Sequence, residues 1–426
     1  MNDCFVVLEP LNHMYKVIEG AAARGYDVVA FHSSPLSATG RYRKGLEAIG
    51  ERHQVEIQSW DDPAGVLQTI LKVLNGRRVV GTYAGVEAVL HAEAALREHV
   101  GLPTHGVAAL ANLLNKRWVR MRLRAAGLSR LADFDPRALV SEDRWPLPGK
   151  CGYLKPITGG GSLHVTRCRR LGDVAAGLRE WDDQALACRP IMRQHLDRGG
   201  GLFLEEEADG ELMSLEGWIY DGKYHALGLT SRTLLARDPA VEMGATFPYE
   251  HPLRAQIESK IAAIHEALDM RHGATHAELI VGADGSVELV ELNVRFGGSD
   301  ILLLMELTLP TPADGLLVDL ACGVEPRQQE GSSTGYASMQ QLLAPAGTRV
   351  LESVELDQEC VIEGRPLKEL GKELLSTNYQ SDHVATYIVR GRTYQEALER
   401  AGRVRLEARV NGSVLGEDRN NVVVLR

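Results

Sequence analysis

The sequence holds no C-x-x-C pair and no Cys/His cluster at zinc spacing. Its six cysteines, Cys4, Cys151, Cys168, Cys188, Cys322 and Cys360, are scattered and read as reduced thiols. It also lacks a long apolar run. The best, from Ile301 to Leu309, is interrupted by Glu306 and falls short of the ~18 residues a membrane helix needs. Met1 to Pro10 carries Asp3 and Glu9, where a secretory signal would need a basic segment followed by an apolar one. Positive charge is in deficit, with 47 Lys and Arg against 57 Asp and Glu and a formal net charge of −10. Such a chain has no broad field for nucleic acid, so an anionic ligand must be met in a local pocket. The expectation is a soluble, cytoplasmic protein with neither a membrane nor a nucleic-acid partner.

What is present is ordinary globular usage, 44% hydrophobic and 24% charged, which excludes wholesale disorder and fibrous classes. At ~150 residues per domain the length favours two or three domains. Glycine, at 43 residues, exceeds the usual ~7% and points to tight loops where backbone approaches a ligand.

Residues 5–8 and 27–31 read as strands around a helix at 12–24, and a strand at 79–82 with an Ala-rich helix at 87–100 continues the alternation. That pattern predicts a parallel sheet. No G-x-G-x-x-G follows Leu8, which counts against a dinucleotide site. From Asn115 the character changes. A basic amphipathic helix (116–127) precedes a strand ending in Tyr153 to Pro156, the loop Thr158-Gly159-Gly160-Gly161-Ser162 and another strand, which together make a flap. Further strands are expected at 202–206, 213–220, 336–343 and 383–389, with helices at 256–268, 313–322 and 394–405.

The most informative stretch is Thr275 to Ser299, THAELIVGADGSVELVELNVRFGGS, two strand-like runs around Asp284-Gly285. With those two as turn residues, counting outward places Glu278 opposite Glu291 and His276 opposite Asn293. Alternation puts Glu291, Asn293 and Arg295 on their face and leaves Glu288 for the solvent side. Two glutamates across a ladder repel, so a cation is expected between them. Two carboxylates and an amide oxygen suit Mg²⁺, which keeps other positions for water and phosphate. Arg295 would meet anionic oxygens with its planar fork. His276 reads as a partner that orients Asn293 or a glutamate, or as an acid/base group.

Lysine is sparse: between Lys72 and Lys223 stand only Lys116, Lys150 and Lys155. Lys155 stands immediately before Pro156 and the glycine loop, where its ammonium could reach phosphate oxygens. Gly160 and Gly161, which lack Cβ atoms, let backbone N–H groups approach an anion, and Ser162 adds a hydroxyl. Leu202 to Gly210 is an apolar strand that breaks into an acidic turn, and backbone at such a strand end can read adenine while one carboxylate holds a ribose hydroxyl.

Lys116 in N-K-R-W-V-R-M-R, Lys155 in Y-L-K-P before G-G-G-S, L-E-E-E-A-D-G, and H-A-E-L with V-E-L-N-V-R-F-G-G resemble, in order and spacing, the ATP-grasp superfamily. The resemblance implies an α/β and α+β chain with the ATP-grasp fold. A Rossmann-like domain would span 1–112, a small lobe with the flap 113–200, a large lobe with the hairpin 201–310, and a part completing that lobe and the substrate site 311–426. It implies ATP and Mg²⁺, or Mn²⁺, as cofactors. Lys116, Lys155, Gly160, Gly161 and Ser162 would lie at the phosphates, backbone of Glu206 and Ala208 at adenine, and Glu205 or Glu207 at a polar contact nearby. Glu278, Glu291 and Asn293 would hold the metal, with Arg295 near the transferred phosphate and the acyl group.

Within the superfamily the chain resembles carboxylate–amine ligases of the L-amino-acid ligase type. The segment Glu242-Met243-Gly244-Ala245-Thr246-Phe247-Pro248 is similar to their E-x-G-x-x-x-P substrate loop. This implies Glu242 near the ammonium of the amino acid to be activated, Gly298 leaving room for it, small amino-acid or carboxylate and amine substrates, and compatibility with a homodimer. Two rival readings are a purine-biosynthesis ATP-grasp enzyme acting on formate or bicarbonate with a ribosyl amine, and a non-catalytic nucleotide-binding regulator.

Overall fold

The computed structural model describes the chain apart from residues 1–2, 12–13, 34–46, 48, 50–53, 184–189, 237, 328–330, 332, 346, 358, 375–382, 416–421 and 425–426. Apolar runs buried on both faces make parallel strands. Accordingly β1 (Cys4–Leu8), β2 (Asp27–His32), β3 (Gln54–Glu56) and β4 (Val79–Ala84) form a parallel sheet in the order β3-β2-β1-β4. The helix Pro63–Leu74 starts where the Asp62 side chain accepts from the Ala64 N–H, with proline in the first turn. The helix Leu90–Val100 stops at Gly101, whose φ of 77° suits the left-handed cap.

A four-stranded antiparallel sheet follows, β5 (Asp133–Phe134), β6 (Gly152–Pro156), β7 (Thr166–Cys168) and β8 (Leu202–Glu206), in the order β5-β8-β6-β7. It packs Leu154, Cys168, Leu202 and Leu204 against Val174 and Leu178 of the helix Leu171–Asp182. The expected boundary between residues 200 and 201 runs through this sheet. Leu204 pairs with Leu154, so β8 belongs with β6 in the small sheet rather than with the large one.

The large sheet begins with β9 (Glu211–Tyr220), β10 (Lys223–Leu235), β11 (Asp238–Tyr249), β12 (Gly273–Val281) and β13 (Val287–Asn293). Its order is β13-β12-β9-β10-β11, then β14 (Tyr336–Leu343), His383–Gly391 and Glu363–Pro366. Met213, Leu215, Ala277, Leu279, Leu289 and Leu292 cover one face and pack on Ile257, Ile261 and Ile264 of the helix Arg254–Ala267. Strand alternation sends Glu216, His276, Glu278, Glu291 and Asn293 to the other face. Segment 242–248, expected as a loop, lies inside β11, because its alternate residues Met243, Ala245 and Phe247 find buried places.

One buried arginine ties the small sheet to the large one. Arg120, in the helix Lys116–Ala125, donates from Nε to Glu205 of β8 at 2.7 Å, from Nη1 to Ser129 Oγ at 2.7 Å, and from Nη2 to the Leu289 carbonyl of β13. Lys155 reaches the other Glu205 oxygen at 2.6 Å. Burial opposes ionisation of Glu205, but Lys155 and Arg120 outweigh it and hold the carboxyl below its ordinary range. Glu205 therefore faces inward between two cations, which removes it as the polar contact beside the nucleotide.

Two stability predictions follow from these placements. Arg120→Met takes away the buried donors that Arg120 gives to the Leu289 carbonyl and to one oxygen of Glu205, and should cost about 3–5 kcal/mol in urea unfolding. His105, His265 and His272 are pushed down to about 4, chiefly by burial. The unfolded chain, with histidines near ~6.5, takes up protons first, so their contribution is complete above that pH and is lost as pH falls toward 4. Urea midpoints should drop steeply between pH 6.5 and 4.5, and less steeply in His265→Leu.

Candidate active site

The hairpin that carries the acidic residues is built differently from a two-residue turn. Gly285, at φ 78°, closes a three-residue connection, Ala283-Asp284-Gly285, in which the Gly282 N–H donates to the Ser286 carbonyl at 2.8 Å. The register therefore runs Val281 to Val287 and Leu279 to Leu289, one residue off the expected count. A bulge at Val290 then takes the residue back, so that Glu278 faces Glu291 and His276 faces Asn293. The same shift brings Glu288, paired with Ile280, onto their face rather than the opposite one. There it accepts from Ser129 Oγ at 2.7 Å and from the Arg130 N–H at 2.9 Å.

Cations converge on the bulge. The Val290 carbonyl lies 3.4 Å from Lys155 Nζ, and Glu291 lies 3.4 Å from Lys116 Nζ. Lys116 also donates to the Gly159 carbonyl at 2.6 Å, which ties the start of its helix to the glycine loop. In that loop Gly161 and Ser162 hold φ of 65° and 53°, and a Cβ on Gly160 would meet Glu87 Oε2 at 3.5 Å. Lys116, Gly159, Glu87, Glu291 and Asn293 line one cavity of about 20 Å³.

His276 is fixed from both sides. Its Nδ1 lies 2.8 Å from Glu216 Oε1 and its Nε2 3.1 Å from Glu278 Oε1. Burial lowers the imidazole, but Glu216 and Glu278 prevail and raise it to about 9. Against the same desolvation, His276 holds Glu278 well below the carboxylate range, while burial pushes Glu291 up. The pair is thus one firmly ionised carboxylate facing one that resists ionisation, and a divalent cation would relieve both. With the buried amide of Asn293 the donor set is three hard oxygens on alternate rungs of one face, which fits Mg²⁺.

Arg295 is held where the sequence offers no hint. Its Nη2 pairs with Glu87, which follows β4 of the parallel sheet, its Nη1 donates to the Phe296 carbonyl at 2.6 Å, and its Nε has no hydrogen-bond partner. Burial opposes the Glu87 charge, yet Arg295 keeps that carboxyl below its usual range. A Cβ on Gly298 would meet only Arg295 Nη1, at 4.0 Å, so space is open there. The close approach is at Gly297, where a Cβ would strike His276 Nδ1 at 2.8 Å.

The acidic strand end divides unevenly. The Glu206 N–H donates to the Ala132 carbonyl at 2.8 Å and its side chain meets Lys150 at 2.5 Å, so only its carbonyl remains for a base. The Ala208 N–H is then the donor of the expected pair. Glu207 forms a two-point pair with Arg167, both contacts at 2.7 Å. Glu242 sits in β11, 3.3 Å from Arg232 Nε. Sequence reasoning missed Glu87, Arg120, Glu216 and Arg232. Of these only Glu216 left a signal, a carboxylate in the middle of the largely apolar β9.

Among the described residues no group of three or more His, Cys, Asp or Glu could hold a metal, and no single helix is long and apolar enough to cross a membrane.

Residues 152–302 match the ATP-grasp domain model. No curated protein matches the sequence. In fold the chain is similar to an L-amino acid ligase from Bacillus licheniformis, with a TM-score of 0.81, 17% identity, and coverage of 97% of this chain and 99% of that one. It is similar to a phosphoribosylglycinamide synthetase from Anaerococcus prevotii, with a TM-score of 0.69, 13% identity, and coverage of 96% and 99%. It is also similar to the biotin carboxylase domain of the Hydrogenobacter thermophilus 2-oxoglutarate carboxylase, a dimer in complex with MgADP, ADP and bicarbonate, with a TM-score of 0.69, 15% identity, and coverage of 96% and 91%. The chain carries an ATP-grasp domain and, along nearly its whole length, has the ATP-grasp fold.

Proposed function

We propose that this chain is an ATP-dependent carboxylate–amine ligase, joining an amino acid or similar carboxylate to an amine-bearing amino acid through an acyl phosphate. The observation that carries the reading is the rung on which Glu278 faces Glu291, beside Asn293, with Glu291 and Asn293 in a cleft shared with Lys116 and the glycine loop. Likeness in fold to an L-amino acid ligase supports it, as does the MgADP complex of the carboxylase domain.

In this reading ATP is the phosphoryl donor. Glu278, Glu291 and Asn293 would hold Mg²⁺ or Mn²⁺, which when bound neutralises charge on the phosphate oxygens. Lys116 and Lys155 supply further positive charge, and Gly160, Gly161 and Ser162 supply close donors. The Glu206 carbonyl and the Ala208 N–H take adenine, and Glu207 takes a ribose hydroxyl. A carboxylate does not acylate an amine at neutral pH, because its oxygen is a poor leaving group. Attack of a carboxylate oxygen on the γ-phosphorus, with departure of ADP, makes the acyl phosphate. The amine nitrogen then attacks the acyl carbon, phosphate leaves with the electron pair, and the nitrogen gives up a proton. Arg295 stabilises the oxyanion and the departing phosphate through Nε, its other arms being fixed by Glu87 and Phe296. Glu242 holds the substrate ammonium, and the open side of Gly298 admits the substrate.

Phosphate release over paired amino acids with ATP and Mg²⁺, with mass detection of the product, tests the reading. ADP and an amide are expected. ADP formed only with formate or bicarbonate and a ribosyl amine, or ATP bound with no phosphate released, would overturn it. Arg295→Ala should lower kcat by about 10²-fold with ATP affinity nearly unchanged. Glu291→Ala should weaken Mg²⁺-dependent ADP binding about tenfold or more in calorimetry.

A further inference from the structure

Arginines buried in this chain usually fill their donors. Arg97 gives N–H groups to the carbonyls of Pro103, Thr82, Leu320 and Ala321, and Arg120 is similarly engaged. Arg232 is different. It stands in β10 opposite Ala245, is 2% exposed, and leaves both Nε and Nη1 without a hydrogen-bond partner. Glu242 Oε2 is 3.3 Å from Nε but out of line for a hydrogen bond. Nη2 lies 3.4 Å from His276 Nε2, which itself faces Glu278 at 3.1 Å. A guanidinium taken out of water without acceptors is costly, and the acceptor it lacks is a planar oxyanion.

We propose that Arg232 binds the carboxylate of an α-amino acid whose ammonium rests against Glu242. The proposal deepens the ligase reading and rests on it. A cation and an anion 3.3 Å apart present the complement of an α-amino-acid zwitterion, whose two charged groups are attached to one carbon. A phosphate dianion in the same place would meet Glu242 and Glu278 head-on, so the surroundings favour the amino acid over inorganic phosphate. Arg232 and Glu242 together then select α-amino acids over simple carboxylates: Arg232 fixes the carboxylate, and Glu242 meets the ammonium that a simple carboxylate lacks. Arg295, fixed by Glu87, is left for the transferred phosphate.

The test measures binding to the full chain saturated with MgADP, using the twenty protein amino acids one at a time, acetate and inorganic phosphate as probes, read by calorimetry and thermal shift. At least one amino acid should bind the native protein more than about tenfold tighter than acetate. Arg232→Met should weaken it about 30-fold or more, with MgADP affinity changed less than about threefold. Arg232→Lys keeps the charge but loses the planar fork. It should weaken binding about tenfold, and it serves if the methionine variant does not fold. Amino-acid affinity unchanged in either variant, phosphate as the preferred ligand, or no amino acid bound by the native protein would overturn the proposal. The ligase reading fails separately. Amino acids that bind through Arg232 without any ADP formed would leave this site standing, whereas ADP formed with an unchanged amino-acid KM in Arg232→Lys would leave only the ligase.

Discussion

Two carboxylates facing one another across a single rung are the constraint around which this molecule is arranged. Strand pairing normally avoids that juxtaposition, and here it is balanced by cations brought from elsewhere. Lys116 approaches Glu291 from the helix that opens the small lobe, Lys155 approaches the Val290 carbonyl from the flap strand, and His276 holds Glu278 from the same strand. The two lysine contacts each also join two parts of the fold. The acidic rung is therefore the point at which flap, helix and large sheet are registered against each other.

The hairpin was legible for a reason that deserves a physical account. A two-residue turn gives the same pairing of Glu278 with Glu291 as a three-residue turn followed by a one-residue bulge, because the two offsets cancel. Nothing in V-E-L-V-E-L-N marks the bulge, since no glycine or proline interrupts it, and so plain alternation puts Glu288 on the face opposite to the one it occupies. In the run Glu205-Glu206-Glu207 composition shows three charges and no direction, whereas the structure turns Glu205 to the inside and leaves its neighbours to surface cations. Segment 242–248 reads as a loop through its glycine and proline, yet its alternate apolar residues fix it as a strand. Glu87 and Arg232 lay beyond sequence reasoning, because Arg295 and His276, which they meet, come from segments that only the folded sheet order brings near.

The interior charges also separate into two kinds. Arg97, Arg120 and Glu205 are satisfied on every side and behave as internal fasteners. Arg232 and the Nε of Arg295 keep donors without acceptors, and both lie near the acidic rung rather than in the packed layers. Two guanidiniums with unmet donors beside the rung place electrostatic cost where ligands are expected.

The order of strands in the large sheet bears on how the protein is made. β11 lies between β10 and β14, and Val422 at the far end of the chain pairs with Leu235 of β10. While a ribosome is still delivering the last third, β11 presents an unsealed rim of backbone groups, and the nascent lobe is open to edge-to-edge association. Completion of that sheet is thus a late event, gated by synthesis rather than by local folding, and a holdase that shields the rim would act in that interval.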